Sequence, residues 1–311
     1  MKILVTGGSG FVGRALIEAL VKLNGVKVVA TYRDDNTLDI PNIEIVDIGN
    51  ISECEKWESI LVGVDIVIHT AARAHVMNDF AKDPLAEYRA TNVQGTLKLA
   101  KQASEVGVKR FIFISSIKVN GKSTSEGNPF KFNDLPNPKD PYGVSKYEAE
   151  IGLKEICADV KMEFVIIRPP LVYGLGVKAN FSAMMSLAKK NLPLPLGAID
   201  NKRSFVALSN LVDLIKTCID HKNASNQIFL VSDGSDISTS ELLKIMIKSY
   251  DKKPWLIPIP VNWILILGKV LGKKNTVDRL CCNLQVDIEH TKSTLGWEPK
   301  FCIEDVLSKL V

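Results

Sequence analysis

The sequence predicts an α/β fold: a doubly wound, mainly parallel sheet followed by a smaller carboxyl-terminal region. Two observations carry this. Short β-rich runs alternate with helical stretches through the first half of the chain, and a glycine loop follows the first of those runs. Alternation of this length sets parallel strands side by side and covers both faces with helices.

The elements follow in order. Lys2–Thr6 (KILVT) is an apolar strand, and 11–23 is a helix that Asn24-Gly25 stops. Strands are expected at 26–31, 43–46, 65–69, 110–115 (RFIFIS) and 163–167. Helices are expected at 53–61, 84–106 and 142–157. After Arg168-Pro169-Pro170 the rhythm changes, and helices near 181–190, 208–220 and 239–250 suggest a smaller, largely helical substrate region. The expected division is a nucleotide-binding part, 1–168, joined by part of 204–232, and a substrate part, 169–203 with 233–311. No linker composition separates them.

The glycine loop is Thr6-Gly7-Gly8-Ser9-Gly10-Phe11-Val12-Gly13. A tight turn between a strand and a helix, with close backbone approach and free N–H groups at the helix start, suits a dinucleotide pyrophosphate. The second strand then ends near the adenosine ribose. Arg33 there suits a 2′-phosphate, which favours NADP(H). Asp34 beside it suits a ribose hydroxyl, which leaves NAD(H) open.

Bulk properties narrow the class. The 311 residues carry 46% apolar and 24% charged side chains and a net charge of +4, the ordinary mix of a soluble globular protein. The basic residues form no block, so nucleic acid is not an expected partner. Six scattered cysteines lack metal-ligand spacing and fit reduced thiols in the cytoplasm. Met1-Lys2 leads straight into a strand, so no signal peptide is expected. The most apolar tract, 255–272, is broken by Pro258 and Pro260 and is too short to span a bilayer. A buried or groove-bound helix is the favoured reading there, and peripheral membrane contact the minority one.

The chemistry-bearing residues lie after the 110–115 strand. Tyr142 and Lys146 stand at i and i+4, on one helix face. A tyrosine hydroxyl becomes a general acid or base when a nearby cation lowers its pKa. Ser115 and Ser116 close the preceding strand, where a hydroxyl can hold a carbonyl or carbinol oxygen.

With these motifs the chain resembles the extended short-chain dehydrogenase/reductases, the group of nucleotide-sugar epimerases, 4,6-dehydratases and 4-keto reductases with a Rossmann core. TGGSGFVG, His69-Thr-Ala-Ala72, Asn92-Val-Gln-Gly-Thr96, SSIKVNG at 115–121, YGVSK at 142–146 and RPPLVYG at 168–174 match in order. Arg203-Ser-Phe-Val and 287–297 continue the match. The resemblance implies that Gly7, Gly10 and Gly13 hold the cofactor pyrophosphate, with Phe11 and Val12 between them. It puts Asp47 and Ile48 by the adenine and Ala71 along the same edge. It makes Ser116, Tyr142 and Lys146 the catalytic set. Asn180 and Arg203 match positions that hold the diphosphate of a UDP-sugar, and Arg279 is a candidate second arginine. Leu175 replaces a usual proline and Ser209 a usual acid.

The resemblance also bears on the reaction. Dehydratases carry an Asp-Glu pair after the catalytic serine, whereas this chain has Ile117 and Lys118, and isoleucine cannot transfer a proton. SSIKVNG and AARAHVM at 71–77 are most similar to reductases of a UDP-4-keto-6-deoxy-N-acetylhexosamine, with Arg73 and His75 lining the sugar pocket. A UDP-hexose or UDP-N-acetylhexosamine 4-epimerase is the alternative. A non-catalytic, cofactor-binding regulatory protein is the alternative of another class. A homodimer is left open.

Overall fold

The computed structural model describes residues 1–33, 40–74, 83–177 and 179–309, with backbone alone at Ala179, Asn180 and Asn275. The first half builds β1 (Lys2–Thr6), α1 (Phe11–Leu20), β2 (Lys27–Tyr32), β3 (Ile43–Asp47), α2 (Trp57–Ile60) and β4 (Ile66–His69). Then come α3 (Pro84–Arg89), a π-helical turn (Ala90–Gly95), α4 (Thr96–Glu105), β5 (Arg110–Ile114), α5 (Pro141–Ala158) and β6 (Glu163–Arg168). The second half adds β7 (Leu171–Tyr173), α6 (Ala179–Lys190), β8 (Arg203–Ala207), α7 (Leu208–Asp220), β9 (Gln227–Leu230) and β10 (Asp236–Ile237). The chain closes with α8 (Thr239–Lys248), α9 (Val261–Val270), α10 (Lys274–Cys281), α11 (Glu289–Leu295) and α12 (Ile303–Leu307).

Seven parallel strands form one sheet in the order β3-β2-β1-β4-β5-β6-β9. Successive side chains along a strand point to opposite faces, so an unbroken apolar run feeds two cores. In β5, Ile112 and Ile114 join α1 and α7 on one face, while Phe111 and Phe113 join α2, α4 and α5 on the other. The chain order reverses between β1 and β4. That crevice, at the carboxyl ends of the strands, is where ligands bind in such sheets.

The region after residue 168 is less helical than its sequence suggests. It contains a second sheet, β10-β8-β7, with β8 antiparallel to β10 and parallel to β7. Strands of two to five residues beside prolines and glycines show too few alternations to register as a period. The core of this region joins Tyr173, Phe181, Phe205, Leu242, Met246 and Ile303. The tyrosine hydroxyl donates to Asp233 Oδ2 at 2.7 Å, and Asp233 Oδ1 accepts from the Ala207 amide at 2.8 Å. Asp233 thereby ties the small sheet to the start of α7.

Two further expectations are corrected. The helix expected over 84–106 is interrupted by the π turn, which rotates Asn92 fully inward. The apolar tract around α9 is not a buried or groove-bound helix: Trp263, Ile266, Leu267 and Val270 are exposed. Among the described residues, no helix is long and apolar enough to cross a membrane.

Candidate active site and nucleotide cradle

The glycine loop occupies the carboxyl end of β1. Gly7 has φ +71°, a left-handed conformation that only glycine adopts freely. A Cβ on Gly7 would meet the Ala71 amide nitrogen at 2.7 Å, and one on Gly13 would meet the Gly7 carbonyl oxygen at 2.2 Å. The loop, the start of α1 and the β4 exit are thus pressed together with no room for side chains. Gly10 is the N-cap of α1 and supplies no side-chain cap. The first N–H groups of the helix therefore point outward, as binding of a diphosphate requires. The residues fit a dinucleotide.

Arg33 follows the end of β2, and Asp47, which closes β3, is paired in register with Tyr32. Asp47 accepts the Gly49 amide at 2.9 Å, a turn that fixes its carboxylate at the edge, and Ile48 donates its amide to the Tyr32 carbonyl. Ala71 lies against Gly7, its amide donating to Thr6 Oγ1 at 3.4 Å. The expected adenosine-side residues therefore share one sheet edge. Asp34 and His75 lie outside the described residues.

The catalytic candidates come together one strand further along. Asp140 caps α5 by accepting the Gly143 amide at 2.8 Å, and Pro141 sits at the first helical position. This fixes Tyr142 in the first turn and Lys146 one turn on. The structure separates the two serines. Ser115 donates to buried Glu150 Oε1 at 2.5 Å, a packing role. Ser116 accepts the Lys118 amide at 3.3 Å and sits near enough to the Tyr142 hydroxyl to favour its ionised form.

Electrostatics around these groups are set by burial. Desolvation pushes the Tyr142 hydroxyl far above the ordinary tyrosine range, and the Asp140 carboxylate adds to this, while Ser116 opposes it. The expected lowering of the tyrosine by Lys146 is therefore not a property of these side chains by themselves. Lys146 is buried and brought down to about 7 by desolvation, with Glu150 pulling the other way. Its ammonium rests 4.2 Å from the Phe113 ring centroid.

Several positioning residues carry no role in the sequence reading. His69 stacks on Phe113 with ring centroids 5.7 Å apart and is held neutral, at about 3, by desolvation and the Lys146 charge. Thr96 spends its proton on the Asn92 carbonyl, so His69 Nε2 donates to Thr96 and Nδ1 accepts from Thr6. Asn92 accepts the Arg73 amide at 2.8 Å and donates to the Arg73 carbonyl and to Ser145 Oγ. Ser145 in turn donates to the Tyr142 carbonyl. Lys118 pairs with Asp140 at 2.7 Å and lies 5.4 Å from the Tyr142 ring centroid. The ordered motifs at 69–72 and 92–96 were the visible signal. Their partners, far off in sequence, were not.

Of the residues expected to hold a diphosphate, the structure brings Arg203 and Arg279 together. Arg203 Nη1 donates to the carbonyls of Arg279 and Cys282 at 2.8 and 3.0 Å. Burial lowers the Arg203 guanidinium from its ordinary value. Asn180 is the second residue of α6, and its side chain lies outside the described part.

Known proteins are consistent with this geometry. Residues 3–232 match the model of the NAD dependent epimerase/dehydratase family. The chain is 49% identical over 304 residues to the UDP-glucose 4-epimerase of Vibrio cholerae, covering 97% of this chain and 92% of that one. The solved UDP-glucose 4-epimerase of Thermotoga maritima, with UDP-glucose, superposes with a TM-score of 0.81 at 24% identity, over 100% and 97% of the two chains. The UDP-glucuronic acid 4-epimerase of Bacillus cereus, in complex with NAD, also gives 0.81, at 20% identity over 99% and 94%.

The cofactor expectation is corrected by these neighbours. The Bacillus enzyme and further solved neighbours hold NAD, against the NADP(H) inferred from Arg33. Arg33 is exposed at the end of β2, where a charged side chain is commonplace whether or not a phosphate is present. With the family model spanning most of the chain and a relative at 49% identity along nearly all of it, this protein belongs to the NAD dependent epimerase/dehydratase family and is an enzyme of its nucleotide-sugar class.

Proposed function

We propose that this protein is a UDP-hexose or UDP-N-acetylhexosamine 4-epimerase working with NAD. The observation that carries the reading is the 49% identity to a UDP-glucose 4-epimerase along 97% of the chain. The sequence by itself favours reduction of a UDP-4-keto-6-deoxy-N-acetylhexosamine. Ser116, Tyr142 and Lys146 serve either reaction equally well, so the motif does not choose. The full-length similarity supports the epimerase.

When bound, NAD supplies a place for a hydride to go to and return from. The chain's own part is to bind, orient and move one proton. Gly7, Gly10, Phe11, Val12 and Gly13 would hold the pyrophosphate, with Asp47, Ile48 and Ala71 along the adenosine side. Tyr142 Oη, as the tyrosinate that the Lys146 cation and the oxidised nicotinamide would favour when NAD is bound, takes the proton of the C4 hydroxyl as the ketone forms, and it returns that proton to the same oxygen once the sugar has turned its other face to the hydride. Ser116 holds the same oxygen. Lys146 keeps a cation on the tyrosine's helix face, and at about 7 it exchanges its own proton near neutral pH. Asn180, Arg203 and Arg279, with His75 toward the sugar, would fix the UDP-sugar.

The proposal assigns 1–168 with part of 204–232 to the nucleotide, supported by β9 joining the large sheet, and 169–203 with 233–311 to the sugar. A cytoplasmic setting belongs to the same proposal. The test is incubation with UDP-glucose, and separately UDP-N-acetylglucosamine, without added cofactor. Formation of the C4 epimer, followed by proton NMR, is expected. No epimer from either sugar, together with NADPH-dependent reduction of a UDP-4-keto-6-deoxyhexosamine, overturns the reading.

A further inference from the structure

Helix α9 is amphipathic in the inverted sense. Trp263, Ile266, Leu267 and Val270, at i, i+3, i+4 and i+7, are 71, 64, 55 and 76% exposed. The opposite side, Ile264 and Gly268, is buried. A Cβ on Gly268 would meet Val277 Cγ2 at 2.5 Å, so α9 lies hard against α10 on that side. Packing thus fixes which face looks outward, and the outward face is the apolar one. Leu271 just beyond it, and Trp255 and Ile257 before it, are exposed too.

The charge along this stretch is mostly positive, with Asp251 and Asp278 flanking it. Residues 252–277 contain Lys252, Lys253, Lys269, Lys273 and Lys274 and no acidic residue. All five lysines are exposed. Lys252 Nζ donates to the Lys189 carbonyl and Asn191 Nδ2 to the Lys253 carbonyl, which places Lys189, Lys190 and exposed Leu192 beside the 252–253 segment that leads into this stretch. An apolar helix face with tryptophan, with Lys269, Lys273 and Lys274 at its carboxyl-terminal end and Lys252 and Lys253 ahead of it, has the composition of a helix that lies in the plane of a membrane interface. Its ten residues span about 15 Å, roughly half a bilayer core, so it cannot cross one.

We propose that the α9 face docks this enzyme on an anionic lipid bilayer surface. Trp263, Ile266, Leu267 and Val270 enter the headgroup–acyl boundary, and the flanking lysines meet lipid phosphates. A second copy of the chain is the weaker occupant on charge grounds, because two such faces would set mostly positive flanks against each other. The inference concerns a surface apart from Ser116, Tyr142 and Lys146, so it stands or falls independently of the proposed epimerase reaction.

The test is co-sedimentation of the full chain with vesicles of phosphatidylglycerol and phosphatidylcholine in equal parts, against pure phosphatidylcholine. Binding to the anionic vesicles only, weakened by salt, is expected. Trp57 and Trp297 are buried, so a blue shift of tryptophan emission on binding reports Trp255 and Trp263. The double variant Ile266→Ser/Val270→Ser and the triple variant Lys269→Gln/Lys273→Gln/Lys274→Gln should each lower partitioning by roughly tenfold or more. Circular dichroism and turnover of a soluble UDP-sugar should stay unchanged. Equal binding to both vesicle types, no binding, or full binding by the double variant overturns the proposal. So does a dimer that the double variant dissociates without any vesicle binding, which would assign the face to a second copy.

Discussion

The ammonium of Lys146 lies 4.2 Å from the centroid of the Phe113 ring, inside the sheet–helix layer rather than at its surface. Burial penalises the charge, the nearby Glu150 carboxylate returns part of that cost, and the net result is the drop of Lys146 to about 7. The unfolded chain, with an ordinary lysine near 10.5, binds the extra proton between these two values. Stability linked to this group therefore rises with pH from about 7 to about 10.5. Below that window the charged form is buried at full cost, and above it both states are neutral.

The variant Lys146→Met should accordingly be more stable than the parent below about pH 7, by on the order of a few kcal/mol. That advantage should shrink as pH rises to about 10. Urea unfolding of the two proteins across this range measures it. A pH-independent difference would mean that Lys146 keeps its charge throughout.

Tyr142→Phe should keep the fold and NAD binding and lower turnover by roughly 10²-fold or more, the usual contribution of general acid–base catalysis. Ser116→Ala should lose less, since Tyr142 still carries the proton. Lys146→Ala should weaken both turnover and NAD affinity. Steady-state epimerisation and cofactor binding by fluorescence compare the three. Near-normal turnover in Tyr142→Phe would assign the proton to another group.

Glu150 and Arg168 form a fully buried ion pair, with Nη2 at 2.5 Å from Oε2 and Nε at 2.9 Å from Oε1. Arg168 Nη1 also donates to Asn120 Oδ1 at 3.0 Å, and Ser115 donates to the same Glu150. Glu150→Ala should cost about 3–5 kcal/mol, because it leaves a guanidinium buried without its partner. Replacing both by methionine should cost much less. Chemical denaturation of the single and double variants separates a penalty for the orphaned charge from a net worth of the pair.

Gly13→Ala should abolish NAD binding and destabilise the chain, since its Cβ would lie 2.2 Å from the Gly7 carbonyl oxygen. Gly25→Ala is the matched control. It has φ +74° but nothing within 4 Å, so it should cost only about 1 kcal/mol and leave cofactor binding intact. Isothermal titration with NAD and thermal melts of both variants check the contrast.

The large sheet was legible because its strands, buried on both faces, are apolar runs bounded by turns, and the glycine loop has a strict local requirement. Tyr142 and Lys146 were legible because one helical turn joins them. Properties that depend on distant partners were not. Nothing local in KILVT or HTAA says that His69 will stack on Phe113 and be held neutral, or that Asn92 will turn inward on a π bulge and tie Arg73 to Ser145. The small β10-β8-β7 sheet was missed because its strands are too short for a period.

The sequence by itself determined the doubly wound fold, the glycine turn and the Tyr142/Lys146 spacing, since apolar periodicity, glycine's backbone freedom and one helical turn are all local; Ser116 joined the set only through the family resemblance. Only the tertiary structure decided which serine stays available beside Tyr142, since Ser115 is claimed by Glu150, two turns further along α5. It also decided the proton level of Lys146, because desolvation comes from every element packed around a group. And it decided which side of α9 faces outward, because Val277 takes the other side. An apolar helix declares in its sequence that it will bury a face somewhere, but only packing determines which face remains exposed.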